Sequence, residues 1–291
     1  MIAATALQLL EALAAVLPAR WLYAGARLAG TLMLPVLERR RQRARAAVQR
    51  FHPAWSPERL NAAVKRQFQE TAMYYVDLVL LSRASPDRIL NDWLTIEGLD
   101  QLQAALRSER GVVMVSVHLS NPEVAIQALR PLGATATVLV EALDERRLES
   151  LRAQRESGGN RFVPATLSGV REALQTLEEG GVVAVLTDRD IQGNGTCVPF
   201  AGQLARFPVG AVDLALRADA ILLPAFATRL RDHRFRVDFM EPQSLLRSEE
   251  GDRAKDVRAT LALLMCRFEE PIQAHVEQWR VVESPWRGCR D

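Results

Sequence analysis

The sequence predicts an α/β protein: a mostly parallel central sheet flanked by helices, with an N-terminal helical segment suited to a membrane surface. Three observations predict it. Short apolar runs rich in β-branched residues recur, as in Gly111–Val117 and Val182–Thr187, and strands buried on both faces need that composition. Stretches with apolar residues at helical spacing lie between them, and such alternation marks a parallel sheet covered by helices. The first 37 residues are mostly apolar and run straight into an arginine-rich stretch, Glu38–Arg45.

In chain order, the first 17 residues read as an apolar helix. No basic segment precedes the run, as a signal peptide would require. Gln8 and Glu11 interrupt it and Pro18 ends it, short of the roughly 20 apolar residues that cross a bilayer. A second apolar helix follows from Trp21 to Leu37. Behind it Arg39, Arg40, Arg41, Arg43 and Arg45 form a basic cluster. An apolar hairpin backed by arginines fits an interfacial anchor beside anionic headgroups; a helix pair packed on the core, with a solvated basic helix behind it, fits the same pattern. Residues 1–55 are therefore set apart as a membrane-associating segment and 56–291 as the α/β core. Pro57–Leu81 carries Leu60, Val64, Phe68, Tyr75 and Leu78 on one helical stripe. Beyond Trp93, strands are expected near 111–117, 136–141, 182–187, 220–227 and 234–239. Helices are expected near 98–108, 122–130, 144–156, 167–178, 208–217 and 252–279.

A hydrophobic fraction of 48% and a charged fraction of 25% describe an ordinary globular core. The net charge of +2 provides no molecule-wide field for nucleic acid. Cys197, Cys266 and Cys289 lack metal-ligand spacing and read as small buried hydrophobes in a reducing compartment.

The stretch richest in chemistry is Val115-Ser116-Val117-His118-Leu119-Ser120-Asn121-Pro122-Glu123. It puts a histidine and a glutamate across a strand-to-helix turn, with Asn121 as N-cap and Pro122 in the first helical position. No aspartate or cysteine in the neighbouring sequence competes for the imidazole. The expected arrangement is a histidine base oriented by a carboxylate. A satisfied core histidine and a helix-start glutamate are the plainer readings of the same residues.

The His-x4-Glu pattern, written here as His118 to Glu123, resembles the active-site signature of the lysophospholipid acyltransferase superfamily. Its nearest likeness is to the bacterial lipid A late acyltransferases and the phosphatidylinositol mannoside acyltransferases. Further blocks follow in the same order over roughly residues 20–230: Val138–Glu141, Arg155–Gly158, Gly180–Asp190, Val198–Gly202, Ala205–Gly210 and Ala220–Ala225. The chain departs from the glycerol-phosphate branch, because Phe207-Pro208-Val209-Gly210 has valine where that branch carries glutamate.

The resemblance implies acyl transfer from acyl-coenzyme A or acyl-carrier protein to a glycolipid or lysolipid hydroxyl, at the cytoplasmic face of a bacterial inner membrane, without a cofactor. His118 would take the acceptor's proton and Glu123 would hold the ring tautomer. Arg155 would meet the oxyanion or an acceptor phosphate. Glu141, Asp188, Arg189, Asp190 and Arg206 would contact substrate, although Asp188 and Arg189 could equally form a structural ion pair. No Gly-x-Ser-x-Gly elbow occurs, which argues against an ordinary esterase. Two rivals stay open: a metal-dependent glycosyl- or phosphate-transferring enzyme using Asp188 and Asp190, and a non-catalytic lipid-binding relative.

Overall fold

The computed structural model describes residues 2–141, 159–280 and 283–289. Its strands are β1 (Leu94–Glu97), β2 (Val112–Ser116), β3 (Ala136–Val140), β4 (Arg161–Pro164), β5 (Val182–Leu186), β6 (Thr196–Phe200), β7 (Gln203–Phe207), β8 (Ile221–Arg229) and β9 (Phe235–Phe239). Seven of them form one sheet in the order β1-β9-β8-β2-β5-β3-β4. All neighbours in it are parallel except β8 and β9. The remaining two, β6 and β7, make an antiparallel hairpin. The helices are α1 (Ile2–Val16), α2 (Ala19–Met33), α3 (Glu38–Phe51), α4 (Pro57–Arg83), α5 (Leu99–Arg107), α6 (Glu123–Gln127), α7 (Leu167–Glu178), α8 (Gly210–Arg217) and α9 (Arg253–Ala274).

The alternation of strand side chains sorts the helices into two layers. Val112 and Met114 of β2, with Val182 and Ala184 of β5, pack with Leu102 of α5 and Val124 and Ile126 of α6. Val113 and Val115, with Val183, pack on the other face with Ala173 and Leu177 of α7 and Leu214 and Ala215 of α8. The chain thus leaves β2 over one face, through α6, to reach β3. It leaves β5 over the other face, through α8, to reach β8. Adjacent strands whose connections part in this way open a crevice at their carboxyl ends, where α/β sheets place their ligands.

The five expected strands and the helix at 167–178 stand where the sequence put them. The 122–130 helix is shorter: α6 stops at Gln127, and a 3₁₀ turn at Arg130–Leu132 accommodates Pro131, which cannot donate within a helix. The 252–279 helix ends at Ala274 and gives way to a 3₁₀ turn, Val276–Gln278. The helix expected at 144–156 lies outside the described residues.

The N-terminal hairpin is bolted to the core. Gly30 lets α2 touch α4: a Cβ there would lie 2.6 Å from the Phe68 carbonyl oxygen. Beside it, Arg229 at the end of β8 forks onto both oxygens of Asp77 and reaches Glu70 Oε2 at 2.8 Å. The Tyr23 hydroxyl donates to Asp77 Oδ1 at 2.8 Å. Asp77 is fully buried and the Arg229 side chain nearly so, so the pair is held by mutual charge and by saturated hydrogen bonding. Helix α3 lends Ala44, Ala47, Val48 and Phe51 to the main core. Among the described residues no helix is long and apolar enough to cross a membrane.

The expectation of three small buried hydrophobes is corrected. Cys197 and Cys289 form a disulfide across 92 residues of sequence, and Cys266 is a free, exposed thiol.

Candidate active site

His118 lies two residues beyond the end of β2, and Asp188 two residues beyond the end of β5. The two strands are parallel, with Ser116 opposite Leu186, so equal steps past equal ends bring the side chains together. His118 Nδ1 lies 2.7 Å from Asp188 Oδ1. Oδ2 of the same carboxylate accepts from the His118 backbone N–H and from Trp279 Nε1, each at 2.9 Å. The Asp188 side chain is 2% exposed and that of His118 17%.

These three contacts decide which nitrogen of the neutral ring carries its proton. Burial alone would push the Asp188 carboxyl up. The imidazole beside it, the side-chain donors of His118 and Trp279 and the His118 amide outweigh that and hold it below the usual aspartate range. Asp188 is therefore an acceptor only, so Nδ1 carries the proton that it donates. In the neutral imidazole the remaining ring nitrogen, Nε2, then carries the lone pair.

The C-terminal segment fixes the turn that carries His118. Leu119 bridges Trp279. Ser120 N–H donates to the Gln278 carbonyl at 2.9 Å, and Arg280 N–H to the His118 carbonyl at 2.9 Å. The turn needs this support, because Ser120 sits at φ 48°, a conformation that side-chain-bearing residues adopt at a cost. Gln278 also donates to the Arg229 carbonyl at 3.1 Å, which ties the turn to the buried Arg229–Asp77 pair.

The oriented imidazole is therefore Asp188's partner and not Glu123's. The glutamate accepts the Tyr74 hydroxyl at Oε1, 2.5 Å away, and its backbone N–H is received by Asn121 Oδ1 at 3.1 Å, the expected cap. An aspartate does compete for His118, from the next strand and not from the neighbouring sequence.

The match to known proteins is extensive. A model of the bacterial lipid A biosynthesis acyltransferase family matches residues 4–288. The chain belongs to that family. It is 32% identical over 197 residues to a phosphatidylinositol mannoside acyltransferase of Mycobacterium tuberculosis, covering 66% of this chain and 59% of the relative. A protein of the same name from Mycolicibacterium smegmatis is 26% identical over 204 residues, covering 68% of this chain and 64% of that one. The lipid A biosynthesis palmitoleoyltransferase of Escherichia coli is 29% identical over 109 residues, covering 36% of this chain and 35% of its own. The matched region thus spans under two thirds of the curated relatives' length.

Within this family framework the other expected residues separate. Glu141 directly follows β3, the neighbour of β5, and its Oε2 lies 3.8 Å from Arg189 Nη2; the ion pair of Arg189 is with Glu141 and not with Asp188. Asp190 accepts the Gly195 N–H at Oδ2, 3.0 Å away, and so shapes the loop after β5. Arg206 lies in β7. Its guanidinium donates to the Gly193 carbonyl at 3.2 Å and the Gly288 carbonyl at 3.1 Å, clamping that loop to the C-terminal segment. Arg155 lies outside the described residues. Of the α3 arginines, Arg39, Arg41 and Arg43 are exposed, Arg41 pairing with Glu38 at 2.6 Å, and Arg45 donates to Asn61. Arg40 alone turns inward, over Phe68 and towards Thr71.

Sequence reading missed Trp279 and Arg280 altogether. The single available signal was a tryptophan and an arginine directly behind the last helix, where the chain must return to the core.

Proposed function

We propose that this protein transfers a fatty acyl group from an acyl thioester, either acyl-coenzyme A or acyl-carrier protein, to a hydroxyl of a membrane glycolipid or lysolipid. The observation that carries the reading is the Asp188–His118 pair, with Nδ1 committed to Asp188 and Nε2 left as the base. The acceptor hydroxyl gives its proton to Nε2 as its oxygen attacks the thioester carbonyl carbon. Asp188 stabilises the imidazolium that forms. When the tetrahedral centre collapses, the carbon–sulfur bond breaks and the imidazolium returns the proton to the leaving thiolate. No serine or cysteine nucleophile and no cofactor enters these steps. The names of the two mycobacterial relatives favour a glycolipid acceptor.

The metal-dependent rival fits the donors less well. Asp188 receives three N–H donors and is arranged for donors, not for a cation, and among the described residues no three His, Cys, Asp or Glu side chains come together as metal ligands would.

The same reading places the protein on the cytoplasmic face of a bacterial inner membrane, attached through residues 1–45. Leu9, Val16, Trp21, Leu28, Leu32 and Val36 are each more than half exposed, a concentration of apolar surface that marks a lipid or protein contact. Arg39 and Arg43 lie behind it, and each basic residue near an anionic surface contributes about 1 kcal/mol. Incubating the purified protein with each labelled donor and a membrane lipid extract tests the activity. A labelled lipid that disappears in His118→Ala supports acyl transfer; no labelled lipid from either donor refutes it.

A further inference from the structure

We propose that Arg40, Arg189 and Arg280 form a phosphoryl-binding subsite beside His118, taking the phosphate of an acceptor headgroup or of the donor's phosphopantetheine arm. Three elements supply it: Arg40 comes from α3, Arg189 directly follows Asp188, and Arg280 directly follows Trp279. The last two thus extend the residues that hold the imidazole in place.

Arg280 is only 9% exposed. Its backbone is fixed by the hydrogen bond to the His118 carbonyl, and its guanidinium lies 3.8 Å over the Tyr74 ring. The ring holds that cation without neutralising it. Among the described residues no carboxylate lies within ion-pair distance of Arg280 or Arg40. The Nε of Arg280 and the Nε of Arg189 are both buried without a hydrogen-bond partner. Buried guanidinium donors are ordinarily paired, so an orphan on each of two residues that directly follow the imidazole's partners leaves a place for an acceptor. Among the described residues Arg189 makes one ion-pair contact, with Glu141 at 3.8 Å. Arg40 makes one hydrogen bond, to Thr71 at 3.3 Å.

Arg280 and Arg189 each lie within electrostatic reach of Arg40. Burial, chiefly, pushes the Arg40 guanidinium down, Tyr75 opposes this, and the charges of Arg280 and Arg189 push it further the same way. A cluster of like charges assembled against its own repulsion is relieved by a multiply charged anion. The planar forks of arginine suit the oxygens of a phosphate ester, to which each can offer two parallel donors. A phosphoryl group held there would set the adjoining hydroxyl or thioester against Nε2. That role rests on the acyl-transfer reading; the binding itself does not.

The experiment reads equilibrium binding to the full chain, without turnover. Short-chain dibutyroyl phosphatidylinositol is compared with dibutyroylglycerol for the acceptor side, and 4′-phosphopantetheine with pantetheine for the donor side. Wild-type protein should prefer the phosphorylated member of at least one pair. Arg40→Gln and Arg280→Gln should each weaken that preference by about tenfold or more, the loss expected for a hydrogen bond to a charged group. Arg280→Lys should recover only part of it, since an ammonium cannot fork. Thermal melting identifies folded variants. If Arg280→Gln fails to fold, Arg40→Gln, whose side chain is only partly buried, decides the matter. The pair that loses its preference identifies the source of the phosphate. No preference for phosphorylated probes, or unchanged preference in folded Arg40→Gln, overturns the proposal. Retained acyl transfer by His118→Ala would instead refute the mechanism and leave the subsite standing.

Discussion

Replacing Asp188 by asparagine alters a single atom and should remove the base. The amide has one acceptor oxygen and one NH2 group where the carboxylate had two acceptors, and three donors face them. If the amide oxygen takes the Oδ2 position, it keeps the His118 N–H and Trp279 Nε1 bonds, both 2.9 Å in the native protein. The NH2 group then faces Nδ1 across the 2.7 Å contact. The opposite orientation sets the NH2 against two fixed N–H donors, each left unsatisfied at about 1–3 kcal/mol. The first orientation therefore wins. Nδ1 must then accept, the proton moves to Nε2, and the nitrogen facing substrate has no lone pair to offer. Loss of a positioned general base costs roughly 10²–10⁴-fold in rate, and the handover to the wrong tautomer belongs at the upper end, as in serine proteases carrying the same change. Steady-state turnover at neutral pH measures the loss, and nitrogen-15 NMR of labelled histidine reads the tautomer. A folded Asp188→Asn protein with turnover within tenfold of wild type, or with Nδ1 still protonated, refutes the reasoning.

Other outcomes follow from the same geometry. Glu123→Gln should reduce turnover far less than Asp188→Asn, because the imidazole's hydrogen bond goes to Asp188; equal losses in parallel kinetics would return the orienting role to Glu123. Arg229→Met should destabilise the fold by about 3–5 kcal/mol, since it leaves Asp77 buried without its counter-charge, and urea unfolding would show this as a lowered midpoint. Because the folded Asp188 pKa is depressed, its stabilising contribution is full above the unfolded value of about 3.9 and is lost as pH falls through the native value; Asp188→Asn should flatten that part of the acid-unfolding profile. Cys266 is free and exposed, so a membrane-impermeant maleimide should label it only after cells are opened if the protein faces the cytoplasm, and labelling of intact cells would reverse the orientation.

What the sequence made legible depended on how far apart the cooperating residues lie. Strands β2 and β5 could be read because five consecutive residues of each are strand-forming and mostly buried. The β6–β7 hairpin could not, because Pro199 counts against a strand, although its turn residues Ala201 and Gly202, at φ 49° and 76°, are suited to a two-residue hairpin loop. Strands β1 and β4, four residues each, are too short to show a period. His118 was legible from its strand-to-helix turn, but the local sequence offered Glu123 as its partner. Asp188, 70 residues away, becomes the partner only once β2 and β5 are known to be neighbours in register.

Arg40 shows the same limit from the opposite direction, since here the signal was present in the local pattern. Read by composition, it is one of five arginines in a basic cluster and belongs at a lipid surface. Read by period, it falls four residues before Ala44, and Ala44, Ala47, Val48 and Phe51 are the residues that α3 buries. A guanidinium on the apolar stripe of a helix must find aromatic or polar company inside, and Arg40 finds Phe68 and Thr71. Helix periodicity thus divides one charge run in two: Arg39, Arg41 and Arg43 on the exposed face, and Arg40 on the inside, within electrostatic reach of Arg189 and Arg280. On the proposed reading, a helix with one face towards lipid and another towards His118 would couple attachment to chemistry through a single rigid element.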